Sequence, residues 1–193
     1  MSTTAHPYGA VPIATLTAGG SFTGRTRQIG IASGYATAIF TGDFVKLVTA
    51  GTVEKDTGTT AATPVGIFLG CSYTDPNSNQ KVFTNQWTAS VVASDAVAYV
   101  LDDPYVLFKM QGDATLAVTA RGANSAIVQT AGSTTFGMSK NAFDSSAIAN
   151  TATLPLRIID FVDGPDSAVG DAYTDVICMI NVGHQYLNTT GLA

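Results

Sequence analysis

The chain has 193 residues and a mass of 19.9 kDa, with 12% charged residues, a net charge of −5 and a pI near 4.6. That acidity excludes a sequence-independent nucleic-acid binder, which needs a basic face, and no apolar run reaches the length of a membrane span. With 46% hydrophobic residues the chain can bury a sizeable core, while so sparse a charged surface predicts that a partner covers part of it.

The charges are peculiar in kind, because Glu54 is the only glutamate and every other acid is an aspartate. Aspartate favours turns and caps, whereas glutamate and lysine favour helices. Alanine is plentiful but interleaved with Thr, Val, Gly and Ser, which do not build long helices. The expected class is therefore mainly β: a small barrel or sandwich with long loops and at most one or two short helices.

Residues 1–30 show no clean periodicity. Pro7, Gly9, Pro12, Gly19, Gly20 and Gly24 keep them extended or looping, yet Tyr8, Val11, Ile13, Leu16 and Phe22 are too many apolar residues for a disordered tail. The segment reads as an ordered arm, lying either across a neighbouring subunit or on its own domain. The N-terminus lacks the charged and apolar blocks of a signal peptide, which predicts synthesis in a host cytoplasm.

A single β domain is expected over 31–193. Residues 35–40 lead into a β-unit at 42–70, where Gly42-Asp43 forms a turn before the short apolar strand of Phe44, Val45, Leu47 and Val48. A half-exposed strand at 52–55 and a Thr-rich tip carrying Asp56 follow. Pro64 then opens the run Val65-Gly66-Ile67-Phe68-Leu69, apolar enough to be buried on both faces. Charge placed at Ile67 should unfold the domain, while Asp56→Ala at an exposed tip should be nearly silent.

Further strands are expected at 81–84, 90–93, 96–101, 105–110, 127–128, 154–162 and 175–182. Residues 115–121 are a weak helix candidate with Gly122 as the stop, and 112–152 could form a small loop-rich subdomain. Cys71 and Cys178 each follow or sit within an apolar strand and read as buried free thiols. Trp87, the only tryptophan, fits the core or an interface equally well.

Catalytic and metal patterns fail in turn. Asp56-Thr57-Gly58 matches an aspartic-protease tripeptide, but Glu54 and Lys55 precede it where an apolar strand is needed. Asp160, Asp163, Asp166, Asp171 and Asp175 are dense but lack the alternating oxygens of a calcium loop, so turn formation explains them better. His6 and His184 sit in opposite polar tails, and neither a Gly-x-Ser-x-Gly elbow nor a phosphate-binding glycine loop is present. The expectation is a non-enzyme without cofactor or metal.

The order of Gly42-Asp43-x-Val45, a Thr-rich tip and Pro64-Val65-Gly66-Ile67 resembles the β-unit of tailed-bacteriophage head decoration proteins. The resemblance extends over most of 35–186. It is carried further by Asp102-Asp103-Pro104 with Phe108-x-Met110-Gln111, by Gly132-Ser133-Thr134-Thr135-x-Gly137-x-Ser139, by Leu154-Pro155-Leu156-Arg157 and by Gly170-Asp171-Ala172-Tyr173-Thr174-Asp175. It implies a capsid decoration, or cement, protein of the virion. Such a protein binds the outer surface of the major capsid protein lattice, is often a homotrimer, stabilises the head, and contacts neither nucleic acid nor membrane directly. This chain is much longer than the smallest such proteins. Its expected partner-binding residues are Tyr8, Val11, Ile13, Leu16, Phe22, Arg25, Arg27 and Trp87. On this reading, deleting the arm should leave a folded domain that no longer binds capsids. A tail- or fibre-associated module that binds a glycan or receptor is the alternative.

Overall fold

The computed structural model describes residues 2–17 and 23–181. The first strands are β1 (Val11–Thr15), β2 (Arg27–Gly30), β3 (Ile39–Phe40), β4 (Phe44–Leu47) and β5 (Val53–Lys55). Next come β6 (Gly66–Thr74), β7 (Lys81–Thr84), β8 (Gln86–Trp87), β9 (Val97–Leu101) and β10 (Val106–Gln111). The chain continues through β11 (Asn124–Ser125), β12 (Ile127–Val128), β13 (Ala142–Phe143), β14 (Leu156–Phe161) and β15 (Asp175–Ile180). With 39% of residues in strands and 2% in helix, the protein is mainly β, and the expected class holds.

Two antiparallel sheets dominate. One has the order β1-β10-β15-β14-β11; the other has β2-β9-β6-β4-β5, with β7 also paired to β6. Neither sheet closes on itself, so the sandwich is realised and the barrel is not. Two-stranded ribbons, β3-β8 and β12-β13, complete the layers.

The β6 strand organises the packing because it is buried on both faces, as its unbroken apolar run predicted. Side chains alternate across a strand, so adjacent residues of the second sheet enter different cores. Phe44, Ile67 and Leu101 face the main core with Phe108, Met110, Ile158, Val176 and Cys178 of the first sheet. Their neighbours Val45, Phe68 and Val100 face a second core with Ile39, Val53 and Trp87. A bulge between Phe68 and Gly70 shifts the register against β9. One extra residue reverses the alternation, which is why Phe68 and Cys71 reach the same core although three positions apart. Gly66 is required where it sits, because a Cβ there would lie 2.2 Å from the Leu101 carbonyl oxygen.

Several expectations are corrected. Residues 90–93 form no strand: Ser90 has φ +65°, and its N–H donates to the Tyr35 carbonyl, closing a loop over the second core through Ala93. The helix candidate is a single 3-10 turn, Val118–Ala120, followed by Gly122 at φ +84°. Residues 112–152 are not set apart, since Ile127 and Phe143 belong to the main core. Of the two placements left open for residues 1–30, the described part of the segment takes the second and packs on its own chain, where β1 pairs with β10 and β2 with β9 at the edges of the two sheets. Arm deletion would therefore remove an edge strand from each sheet and not merely a tether. Of the last strand expected, Val182 lies outside the described residues, as does His184.

Both cysteines are free and buried. Burial disfavours the thiolate, raising Cys71 to about 12 and pushing Cys178 up as well. The native protein should therefore resist a thiol reagent at pH 8 and react at two sites once unfolded in guanidinium. Rapid native labelling would contradict this burial.

Candidate partner-binding surface and a buried polar cluster

The β1 edge collects most of the residues that the sequence singled out. Val11, Ile13 and Leu16 are 37%, 41% and 47% exposed, three large apolar side chains within one six-residue stretch of the edge. Leu16 donates its N–H to the Tyr105 carbonyl at 2.8 Å, which places the 46% exposed Tyr105 beside it. Pro12 has no N–H to offer, and the register shifts between Pro12 and Ala14. Both devices blunt an edge against indiscriminate strand addition, so recognition here falls to the side chains.

The ends of this strip are polar and anchored. At one end the Tyr8 hydroxyl donates to Asp175 Oδ1 at 3.2 Å, and Lys109 Nζ lies 2.9 Å from Asp175 Oδ2. The same ammonium sits 5.8 Å from the Tyr8 ring centroid, within cation–π range. Burial, followed by the neighbouring Asp175 carboxylate, holds the Tyr8 phenol well above its ordinary value. Tyr8 thus secures the start of β1 and is only partly available to a partner. At the other end exposed Arg25 lines a small pocket with Thr15, Gly24, Leu101 and Asp103. Arg27 is ion-paired to Asp102 at 2.5 Å.

One expected contact residue falls away from this surface. Trp87 is fully buried, donates Nε1–H to the Tyr35 carbonyl at 3.1 Å and meets the Tyr73 ring edge-on at 5.5 Å. It is a core residue because its indole fills the second core while its polar edge finds a backbone acceptor. Phe22 lies outside the described residues. Tyr105 was missed: its apolar neighbours predicted a strand, and only the pairing with Leu16 reveals its place on the strip. Phe83 and Phe136, each 72% exposed, were missed for a similar reason. Asn85, two residues beyond Phe83, donates Nδ2–H to the Phe136 carbonyl at 3.0 Å, bringing the two loops together.

Asp56 is not at an exposed tip. It is 2% exposed, and its carboxylate accepts the N–H groups of Gly58 at 2.9 Å and Thr63 at 2.7 Å. The side chain ties both ends of the Thr-rich loop, a long-range role that the local turn reading does not show. Asp56→Ala should therefore cost about 1–3 kcal/mol by leaving two donors without their acceptor, measured by urea unfolding, and a silent substitution would refute the role. Burial raises the Asp56 pKa despite those hydrogen bonds. The folded carboxyl thus holds a proton more readily than the unfolded one. The stability gained from that proton is present below the unfolded value and lost as pH rises through the folded value.

A second buried acid was also taken for a simple turn residue. Asp43 is fully buried, and its Oδ2 accepts the Phe40 N–H at 2.9 Å and lies 2.9 Å from Lys55 Nζ. Oδ1 accepts the Ser139 hydroxyl at 2.6 Å and the Asn141 Nδ2–H at 3.2 Å. The Asn141 amide oxygen in turn accepts the Thr130 N–H at 3.1 Å. The Lys55 ammonium is also 5.8 Å from the Phe40 ring centroid. Three distant segments meet on this one carboxylate, and no local pattern in the sequence marks Ser139 or Asn141 as its partners.

Three of the aspartates at 160–175 are engaged individually. Asp160 pairs with Arg121 at 2.6 Å, Asp171 accepts the Ser2 N–H at 2.8 Å, and Asp175 holds Tyr8 and Lys109 as described. Among the described residues no three His, Cys, Asp or Glu side chains are grouped to hold a metal ion. No family model, curated protein or solved structure matches this chain.

Proposed function

We propose that this is a capsid decoration protein of a tailed bacteriophage, binding the outer surface of the major capsid protein lattice and stabilising the head, as a homotrimer on the virion. The observation that carries the reading is the apolar strip of Val11, Ile13, Leu16 and Tyr105 along the edge of β1. An exposed row of large apolar side chains on a chain with few charges is what a partner-covered edge needs. The resemblance of residues 35–186 to phage decoration proteins supports the same role.

The physics suits repeated weak contacts. Each side chain of the strip is already more than half covered, so burying the remainder at a junction contributes about 1 kcal/mol, and a trimer spanning lattice subunits multiplies such terms by avidity without strong single contacts. The anchored Tyr8 end and the edge-blunting Pro12 keep the strip in one conformation, lowering the ordering cost of binding.

Ile13→Asp and Leu16→Asp change exposed side chains and should leave the fold intact by circular dichroism. Each should weaken co-sedimentation with expanded phage heads roughly tenfold or more. Wild-type protein that fails to sediment with heads, or labelling confined to tails on intact particles, would overturn the proposal. The second result would favour a receptor-binding role.

A further inference from the structure

We propose that Lys55 and Asn141 become joined after folding by an intramolecular isopeptide bond, with Asp43 as the catalytic carboxylate. Three observations meet at one point. Asp43 and Asn141 are fully buried, and the Lys55 side chain is 10% exposed, so the cluster is shielded from water. One carboxylate touches both prospective reactants, Lys55 Nζ at 2.9 Å on Oδ2 and Asn141 Nδ2 at 3.2 Å on Oδ1. The Asn141 carbonyl oxygen already accepts a backbone N–H, that of Thr130, at 3.1 Å.

Each contact has a task. Asp43 takes a proton from the Lys55 ammonium, which lies 2.9 Å from its Oδ2. The Nζ lone pair attacks Cγ of Asn141, and the charge developing on the amide oxygen is held by the Thr130 N–H. Asp43 passes its proton to Nδ2, the Cγ–Nδ2 bond breaks, and ammonia leaves. It carries away as ammonium the second proton shed by Nζ. In balance, one ammonium and one primary amide become one secondary amide and one ammonium ion. One C–N bond forms, one breaks, and no oxidant or other reactant is needed. Ser139 and the Phe40 N–H position the carboxylate at 2.6 Å and 2.9 Å, and that shared carboxylate gathers the amine and the amide in one place.

The bond would tie the β4–β5 hairpin to the loop after residue 138. That loop also holds the N-terminal segment, since the Gly9 N–H donates to the Asn141 carbonyl at 3.1 Å. This cross-link is independent of which surface the protein decorates.

Intact-mass spectrometry of the purified full chain under denaturing conditions decides the matter. The expected mass lies below that of the sequence by one ammonia, after allowing for removal of the initiator methionine. Proteolysis should release a branched peptide joining the Lys55 and Asn141 segments. Lys55→Met, Asn141→Ala and Asp43→Asn should each show the full mass of their own sequence. Wild-type protein of full mass would overturn the proposal whatever the variants do. Ammonia loss that persists in Lys55→Met would assign it to another asparagine and overturn the proposal equally.

Discussion

In the chain without a Lys55–Asn141 bond, Asp43→Ala is expected to destabilise the protein by about 3–5 kcal/mol, the usual cost of removing one member of a buried ion pair, and a cross-link lost together with Asp43 would add to that. The loss has two sources. Lys55 keeps a charge that is 10% exposed and has lost its counter-ion. The Ser139 hydroxyl, the Asn141 amide and the Phe40 N–H each lose their acceptor inside the protein. Against a total stability of about 5–15 kcal/mol for a domain, this is a large fraction. Urea unfolding of Asp43→Ala, Lys55→Met and the double variant forms a cycle. Lys55→Met should be the milder single change, because Asp43 retains three donors when the ammonium is gone. The double variant should recover part of the Asp43→Ala loss by removing the stranded charge. A cost below about 1 kcal/mol for Asp43→Ala would show that the cluster does not hold the fold together.

The second large effect lies at Ile67. It is fully buried on β6 and packs with Phe44, Leu101 and Phe108. Ile67→Asp would place a carboxylate in that main core with no designed partner, and desolvation would either forbid its charge or unfold the chain. The expected outcome at neutral pH is no folded protein by near-UV circular dichroism. Ile67→Val, which removes a single methylene, should cost only about 0.5–1.5 kcal/mol. Folded, soluble Ile67→Asp would mean that β6 does not separate two cores.

These contrasts show how the sequence and the fold divide the information. Asp43 and Asp56 look alike in sequence: each lies within two residues of a glycine near a turn, and each was read as turn chemistry. Both are buried, because their partners, Ser139 and Asn141 for one and Thr63 for the other, lie beyond the reach of any local rule. Trp87 could not be placed by type alone, since its indole suits a core or an interface; the Tyr35 carbonyl and the Tyr73 ring decide for the core. Val11, Ile13 and Leu16 stood out as apolar residues in a segment without periodicity. The pairing of β1 with β10 turned a presumed arm into an edge strand and left that strip facing outward.

The sequence by itself determined the mainly β class, the lack of long helices among the described residues and the double burial of β6. Composition and short-range periodicity report backbone preference and burial, and both are local quantities. It also marked most of β9, β10, β14 and β15, whose apolar runs are long enough to exclude other readings. The tertiary structure alone decided that the sheets form an open sandwich, that a bulge reverses the facing of Cys71, and that Asp43 gathers Lys55, Ser139 and Asn141. Those outcomes rest on pairings between residues tens of positions apart. They are selected by the joint packing of both sheets, and no single stretch of chain encodes them.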